Sequence, residues 1–138
     1  LLDSLGKRVT WLQEVCDELQ LKRVACVHAR AEEFAMQHRE QFDIATSRAV
    51  AQLSILSELC LPLIKVGGQF IAMKSVDTED EIDAAKSAIK TLGGHIVKVE
   101  DYTIPTSDVV HRLVIVEKVS PTPRAYPRAF AKIKKAPL

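Results

Sequence analysis

Residues 1–12, LLDSLGKRVTWL, join a short apolar run that ends in an acid to the first turns of an amphipathic helix. Leu1 and Leu2 are typical of the last part of a buried strand, and Asp3 stands where that strand ends. In nucleoside-binding α/β folds an acid at the tip of the second strand accepts hydrogen bonds from ribose hydroxyls, and a glycine-rich turn precedes it by about 20 residues. This stretch therefore indicates an α/β fold that binds a nucleoside at its strand ends.

The glycine-rich turn of such a site is not encoded in these 138 residues. The five glycines are Gly6, Gly67, Gly68, Gly93 and Gly94, and none forms a G-x-G loop between a strand and a helix. Two interpretations follow. Either the chain is N-terminally truncated, or the nucleotide-site interpretation is wrong.

Length and composition favour one soluble domain. With 138 residues, 47% of them apolar, the chain has enough material for one core of ordinary size. The longest uncharged apolar run, residues 59–64, is far shorter than the roughly 18 residues of a membrane span. Because a signal-peptide pattern is also absent from the first residues, we expect a cytoplasmic protein with no membrane partner.

The cysteines and histidines do not predict a metal site. Cys16, Cys26 and Cys60 are far apart and lie in apolar helix or strand patterns, as reduced core thiols do. The four histidines form no pair at helical spacing. We therefore expect no metal and no catalytic cysteine.

Four segments have the apolar spacing of helices: residues 5–20, 31–38, 49–66 and 78–92. Gly67 and Gly68 are expected to end the third helix, with Pro62 bending its last turn. Thr78 and Glu81 have the spacing of a capping box that opens the fourth helix.

Strands are predicted between and after these helices, at residues 23–28, 42–46, 69–74, 95–103 and 111–119. Alternating strands and helices indicate crossover connections and a mainly parallel sheet. The last two strands are joined directly, so we expect an antiparallel hairpin at one edge. A parallel sheet with an antiparallel last strand is associated with, but not confined to, methyltransferases that use S-adenosylmethionine.

Candidate ligand residues follow three strand ends, because ligands of open α/β sheets bind beyond the carboxyl ends of the strands. Asp3 suits a ribose but is equally expected as a helix N-cap. Ala31 and Glu32 suit an adenine edge, although an acid at a helix start is common in any case. Arg48 suits an anionic ligand or a structural salt bridge.

The last 18 residues are basic. Residues 121–138 hold five of the 19 Lys and Arg residues and none of the 18 Asp and Glu residues, so residues 1–120 carry a net charge of −4. These cations are Arg124, Arg128, Lys132, Lys134 and Lys135. They alternate with Tyr126 and Phe130, as in a segment that contacts phosphates and stacks on bases. A solvated terminus stiffened by proline is the other interpretation.

The segments LLDSLGKRVTWL, HARAEEF, DIATSRAVAQLSILSELCLPL, FIAMKS and TPRAYPRAFAKIKKAPL resemble, in that order, the ribosomal RNA small subunit methyltransferase G family, also called glucose-inhibited division protein B. The resemblance implies a class I S-adenosylmethionine-dependent methyltransferase fold. This fold is Rossmann-like α/β, with a mainly parallel sheet and an antiparallel last strand. It also implies methyl transfer to N7 of a guanine in 16S ribosomal RNA. Residues 1–120 would then be the C-terminal portion of the domain, and residues 121–138 a basic RNA-contacting tail.

Carried over by position, Asp3 resembles the residue near the cofactor ribose, Ala31 and Glu32 the pair at the adenine, and Arg48 the arginine at the cofactor site. The family's glycine-rich loop and the helical segment before it have no counterpart in this sequence. We therefore expect that the isolated chain is inactive and binds S-adenosylmethionine weakly. The expected partner is 16S ribosomal RNA or the small subunit, and an edge left by truncation would favour self-association. No catalytic acid or base is expected, because guanine N7 has an unprotonated lone pair.

Two other classes of function stay open. A nucleotide-using dehydrogenase would need a nicotinamide-binding loop upstream of Asp3. A non-catalytic RNA-binding α/β module would use the sheet only to support the basic tail.

Overall fold

The computed structural model describes residues 1–48 and 51–138. Its strands are β1 Leu2–Asp3, β2 Val27–His28, β3 Phe42–Arg48, β4 Ile64–Ser75, β5 Gly94–Thr103 and β6 Val110–Lys118. Its α-helices are α1 Gly6–Glu18, α2 Ala31–Gln37, α3 Leu53–Cys60, α4 Glu79–Thr91 and α5 Phe130–Lys135. A 3-10 turn, Leu61–Leu63, joins α3 to β4.

The strands form a mixed arrangement with an antiparallel last strand, as predicted. A four-stranded sheet has the spatial order β3, β4, β6, β5. In it β3 and β4 are parallel, and β6 is antiparallel to both of its neighbours. β1 and β2 form a separate parallel pair in which Asp3 lies opposite His28. The hairpin of β5 and β6 is also confirmed, with β5 at the edge.

The core lies between the four-stranded sheet and helices α3 and α4. Phe70 pairs with Val116 and Ala72 pairs with Val114, and all four side chains are fully buried. Because side chains alternate between the faces of a strand, these positions form one apolar face. Residues from α3 and α4, such as Leu53 and Ile89, join them in the same cluster.

The predicted end of the third helix is wrong. The α-helix ends at Cys60, and β4 begins at Ile64 and contains Gly67 and Gly68. Pro62 lies in the 3-10 turn, where its missing N–H does not interrupt an α-helix. Both glycines lie in the part of β4 where its register with β3 shifts, opposite the chain between Phe42 and Ile44, and Gly68 lies against the backbone of Asp43. The first two residues of the predicted helix, 49 and 50, lie outside the described residues.

The predicted capping box is also wrong. The Thr78 hydroxyl donates to the Ser75 carbonyl at 3.0 Å and makes no cap hydrogen bond to α4. Glu81 accepts from the backbone N–H of Leu53 instead. The predicted end of α4 is confirmed, because Gly93 has a φ of +86° just after the helix, a conformation that glycine adopts readily.

The second strand is shorter than predicted. Residues 23–28 were expected to be extended, but only Val27 and His28 pair with β1. Arg23 has a φ of +64°, a left-handed conformation that a strand does not accommodate.

Candidate functional site

Asp3 ends β1 with both carboxylate oxygens engaged. Oδ1 accepts the backbone N–H of Leu5 at 2.8 Å, and Oδ2 accepts from the Arg8 guanidinium at 2.6 Å. The N–H of Leu5 and the cation of Arg8 together hold the pKa of Asp3 below its usual value. The group is therefore an ionised acceptor at neutral pH, and a carboxylate has further lone pairs for a hydroxyl donor.

Ala31 and Glu32 open α2 beside Asp3. The parallel pairing of β1 with β2 brings the two segments together, and the Ala29 N–H donates to the Asp3 carbonyl at 3.2 Å. The Ala31 N–H belongs to the first helical turn and has no acceptor within the helix. The carboxylate of Glu32 accepts from Arg30 Nε at 2.7 Å, and its side chain is only 11% exposed.

Arg48 is the last residue of β3 and lies opposite Met73 of β4. It is exposed, and it forms no ion pair with the described residues. Residues 49 and 50, which follow it in the chain, lie outside the described ranges. Arg48 therefore lies at the end of a parallel strand, as its last residue rather than after it, and in the four-stranded sheet rather than in the pair that carries Asp3.

A polar network that the sequence did not predict holds Ala51 and the start of α3. Lys74, near the end of β4, donates to the Ala51 carbonyl at 2.9 Å and pairs with Glu81 at 2.7 Å. Glu81 also accepts from the N–H of Leu53, the first residue of α3. The start of α3 is thereby tied to β4 and α4.

An ion pair between the buried Lys118 and the partly exposed Glu40 anchors the beginning of the basic tail. Lys118 is fully buried, and its Nζ donates to Glu40 at 3.1 Å and to the carbonyls of Leu61 and Ile64 at 2.7 and 3.0 Å. Glu40 also accepts the Thr122 N–H at 2.8 Å. Burial raises the pKa of Glu40, but Thr122 and Lys118 outweigh burial and hold the pKa below its usual value.

The Arg39 side chain holds the next part of the tail by binding backbone carbonyls of that segment. Its guanidinium donates to the carbonyls of Tyr126 at 2.7 Å, Thr122 at 2.6 Å and Pro123 at 3.0 Å. These carbonyls belong to a segment without helix or strand, so Arg39 supplies donors that regular structure would otherwise provide.

Arg128 differs from the other cations of the tail because a buried acid binds it. Glu58 of α3 is fully buried. It accepts the Arg128 backbone N–H at 2.8 Å and the guanidinium Nε and Nη2 at 2.9 and 2.6 Å. The carboxylate raises the pKa of Arg128. The side chain that was predicted to contact RNA therefore joins the tail to α3.

Helix α5 presents its lysines outward. Ile133 is fully buried, whereas Lys132, Lys134 and Lys135 are exposed, as is Arg124 upstream. Phe130 is the first residue of α5. The Arg30 guanidinium lies over its ring, with the guanidinium carbon 5.0 Å from the ring centroid. The tail is thus a packed segment with an exposed basic surface.

The strand-end residues fit the nucleoside half of S-adenosylmethionine. Asp3 is an ionised acceptor of the kind that a hydroxyl donor requires, and Ala31 has a backbone donor without an acceptor in its own helix. For the methionine half, none of the five glycines lies in a strand-to-helix loop that would hold a ligand with backbone amides. These residues therefore fit the nucleoside half of the cofactor but not its methionine half.

Comparison with solved structures defines the class of fold. An rRNA methylase from Streptococcus thermophilus aligns with a TM-score of 0.60 at 15% identity, over 86% of this chain and 72% of that protein. A SAM-dependent O-methyltransferase from Thermotoga maritima aligns with a TM-score of 0.62 at 12% identity, over 89% of this chain and 50% of that protein. The chain therefore has the α/β fold of the S-adenosylmethionine-dependent methyltransferases.

Sequence comparison identifies the family. The family model described as rRNA small subunit methyltransferase G, GidB, matches residues 1–110, and the chain belongs to this family. Proteins named Ribosomal RNA small subunit methyltransferase G from Clostridium botulinum and Clostridium tetani are 51% and 49% identical to it. Each alignment covers the whole chain but 59% of the relative, so the chain spans less than two thirds of these relatives.

Two absences hold for the residues that the structure describes. Among residues 1–48 and 51–138, no helix combines the length and the apolar character needed to cross a membrane. Within the same ranges, no three His, Cys, Asp or Glu side chains form a group able to hold a metal ion.

Proposed function

We propose that the protein to which these residues belong transfers a methyl group from S-adenosylmethionine to N7 of a guanine in 16S ribosomal RNA, in the cytoplasm. The match of residues 1–110 to the methyltransferase G family carries this proposal. The methyltransferase fold of the solved relatives supports it independently of sequence.

In this proposal the cofactor lies beyond the strand ends. Asp3 accepts hydrogen bonds from the ribose, Ala31 and Glu32 contact the adenine edge, and Arg48 faces the charged part of the cofactor. The low pKa of Asp3 supports its role, because only the ionised carboxylate has all its lone pairs available as acceptors. The sulfonium of the bound cofactor supplies the methyl group and a good leaving group.

The chain's own contribution to the reaction is placement rather than proton transfer. Guanine N7 has an unprotonated lone pair at neutral pH, so its attack on the methyl group requires no general base. The protein has to align the two reactants in line and exclude water. We therefore assign no catalytic acid or base, and we expect the target guanine to leave its stack.

The basic surface of the tail is the proposed RNA contact. It comprises Arg124, Lys132, Lys134 and Lys135, whose side chains are exposed. Arg128 belongs to the same RNA-binding proposal, but its ion pair with Glu58 indicates that it acts by holding the tail in place. Because Arg39 and Glu40 also fix the tail, the cations meet RNA without first ordering a flexible segment.

Isothermal titration calorimetry tests the proposal on two proteins, the 138-residue chain and the full-length gene product. Each is titrated with S-adenosylmethionine, with NAD and with a short 16S ribosomal RNA hairpin. The full-length product should bind S-adenosylmethionine and RNA but not NAD. The 138-residue chain should bind RNA but bind the cofactor weakly and transfer no methyl group, since its glycines do not form the loop described above.

The outcomes separate the proposal from its alternatives. Binding of NAD by the full-length product, without binding of S-adenosylmethionine, would identify a nucleotide-using enzyme of another class. Binding of RNA alone would identify a non-catalytic RNA-binding module, which the exposed cations of the tail favour.

A further inference from the structure

One guanidinium links the proposed cofactor residues to the basic tail. Arg30 Nε donates to the Glu32 carboxylate at 2.7 Å. The same group lies over the Phe130 ring, with its central carbon 5.0 Å from the ring centroid. Glu32 belongs to α2 and Phe130 is the first residue of α5, so Arg30 contacts both helices.

The two contacts constrain each other because a guanidinium is planar. It donates hydrogen bonds in its plane and packs against aromatic rings with its face. Rotation of Arg30 to follow a movement of Glu32 therefore changes the face that Phe130 meets. The Glu32 carboxylate raises the pKa of Arg30, so the group keeps its charge in both contacts.

The lysines of α5 do not hold the start of the helix as the contact of Arg30 with Phe130 does. Ile133 is its one fully buried side chain, and Lys132, Lys134 and Lys135 are exposed. Upstream, the pair of Arg128 with Glu58 fixes the chain before the helix begins. The contact of Arg30 with Phe130 is thus placed where it can set the direction of the lysine-bearing helix.

We propose that Arg30 is a positioning residue that couples ligand binding at Glu32 to the placement of the basic helix α5. This inference rests on the proposed function, which assigns the cofactor to Glu32 and RNA to α5. The cofactor would tighten RNA binding through Arg30. By thermodynamic linkage, RNA would tighten cofactor binding by the same factor.

The test measures a coupling ratio in the full-length gene product. The dissociation constant of a fluorescent 16S ribosomal RNA hairpin is determined without ligand and with saturating S-adenosylhomocysteine. The ratio of the two constants should be about 5 or more in the unmodified protein, the lower range of measured couplings between sites. It should fall to about 1 in Phe130→Leu, which keeps apolar volume but removes the ring face.

Two variants separate positioning from stability. Arg30→Lys keeps the charge but loses the planar fork, so its ratio should lie between those of the unmodified protein and Phe130→Leu. Lys132→Gln is the matched control on the same helix. It should weaken RNA binding equally with and without S-adenosylhomocysteine, leaving the coupling ratio unchanged.

The remaining outcomes overturn the inference. A coupling ratio of 1 in the unmodified protein would show that the two sites are not coupled. A ratio in Phe130→Leu equal to that of the unmodified protein would show that the coupling does not pass through Arg30 and Phe130. If Phe130→Leu does not fold, Arg30→Gln gives the same test, because the Arg30 side chain is 46% exposed. Failure of the unmodified protein to bind S-adenosylhomocysteine at all would instead reject the proposed function, and this inference with it.

Discussion

Glu58 is a carboxylate without solvent contact whose charge is matched by one residue of the tail. Its oxygens accept four hydrogen bonds from three donor groups of Arg128. These partly buried donors lose a charged acceptor if Glu58 is replaced by an amide. We predict that Glu58→Gln lowers the free energy of unfolding by about 2 kcal/mol, because an amide accepts fewer and weaker hydrogen bonds there. Urea denaturation measures this loss.

Glu33→Gln is the matched control, since Glu33 is an exposed acid of α2. It should change the free energy of unfolding by less than about 0.5 kcal/mol. Equal stabilities for Glu58→Gln and the unmodified protein would mean that the pair of Glu58 with Arg128 does not hold the tail.

Glu40 makes stability depend on pH in the acid range. Its pKa in the folded protein lies below the ordinary 4.5, so the unfolded chain binds the proton more readily. The stabilisation from ionised Glu40 is therefore complete above the ordinary pKa of 4.5, and it is lost as the pH falls through the lower pKa of the folded protein. We predict that the stability difference between the unmodified protein and Glu40→Gln is largest near neutral pH and shrinks on acidification. Urea denaturation at a series of pH values checks this, and a difference that grows on acidification would contradict it.

The sequence predicted where single residues lie better than it predicted which residues pair with each other. Asp3 and Arg48 end strands as expected, because an apolar run followed by a polar residue is a local pattern. The anchoring pairs were missed. Glu58 is separated from Arg128 by 70 residues, and Glu40 from Lys118 by 78 residues. No local pattern reports such a pair, although an acid within the apolar helix α3 was a signal that a buried partner exists.

Within β4, the two glycines should respond differently to substitution. Gly67 has a φ of +87° and open space around its α-carbon, so Gly67→Ala should cost about 1 kcal/mol for backbone strain alone. At Gly68 an added methyl group would overlap the Asp43 carbonyl oxygen of β3. Gly68→Ala should therefore cost about 3 kcal/mol, because backbone must move. Urea denaturation compares the two, and a larger loss at Gly67 would contradict the described pairing of β3 with β4.

The basic tail should account for much of the salt dependence of RNA binding. A variant in which Arg124, Lys132, Lys134 and Lys135 are all Gln should bind a 16S ribosomal RNA hairpin more weakly. The slope of log affinity against log salt should also become shallower by up to about 4, if each of the four cations neutralises one phosphate of the hairpin. Arg128 is left intact, so that the anchor at Glu58 is preserved.

The control for this prediction removes the same charge from another surface. It replaces four exposed lysines by Gln: Lys22, Lys86, Lys90 and Lys98. This variant should keep a slope close to that of the unmodified protein. Equal slopes in the tail variant and the unmodified protein would exclude the tail from the RNA contact.

The order of helices and strands was predictable, because hydrophobic period and length report it directly. Boundaries that depend on distant contacts were not predictable. The pair Gly67 and Gly68 has the sequence signature of a helix end, but Gly68 lies against the backbone of Asp43 in β3. Thr78 and Glu81 have the spacing of a capping box, but Glu81 bonds α3 and Lys74. In both cases a tertiary contact overrode the local pattern.

Some of the exposed apolar side chains lie on an edge strand that has a neighbour on one side only within the described sheet. Within the described sheet β3 is an outer strand, and its Ile44 and Phe42 are 55% and 39% exposed. Trp11 of helix α1 is 59% exposed, and Leu5, the residue just before the helix, is 54% exposed. An apolar edge strand is a template for pairing with another chain.

We therefore predict that the 138-residue chain self-associates through β3, since a second copy would bury Ile44 and pair the open edge. Sedimentation velocity over a range of concentrations should show a dimer or larger species. Ile44→Lys should shift the protein toward monomer, because a charge on an edge strand opposes pairing. Val119→Lys adds the same charge at an exposed position outside the strands and should leave the distribution unchanged. A monomer at every concentration would show that β3 does not pair with a second copy. Equal shifts toward monomer in Ile44→Lys and Val119→Lys would show that net charge, rather than the edge strand β3, controls the association.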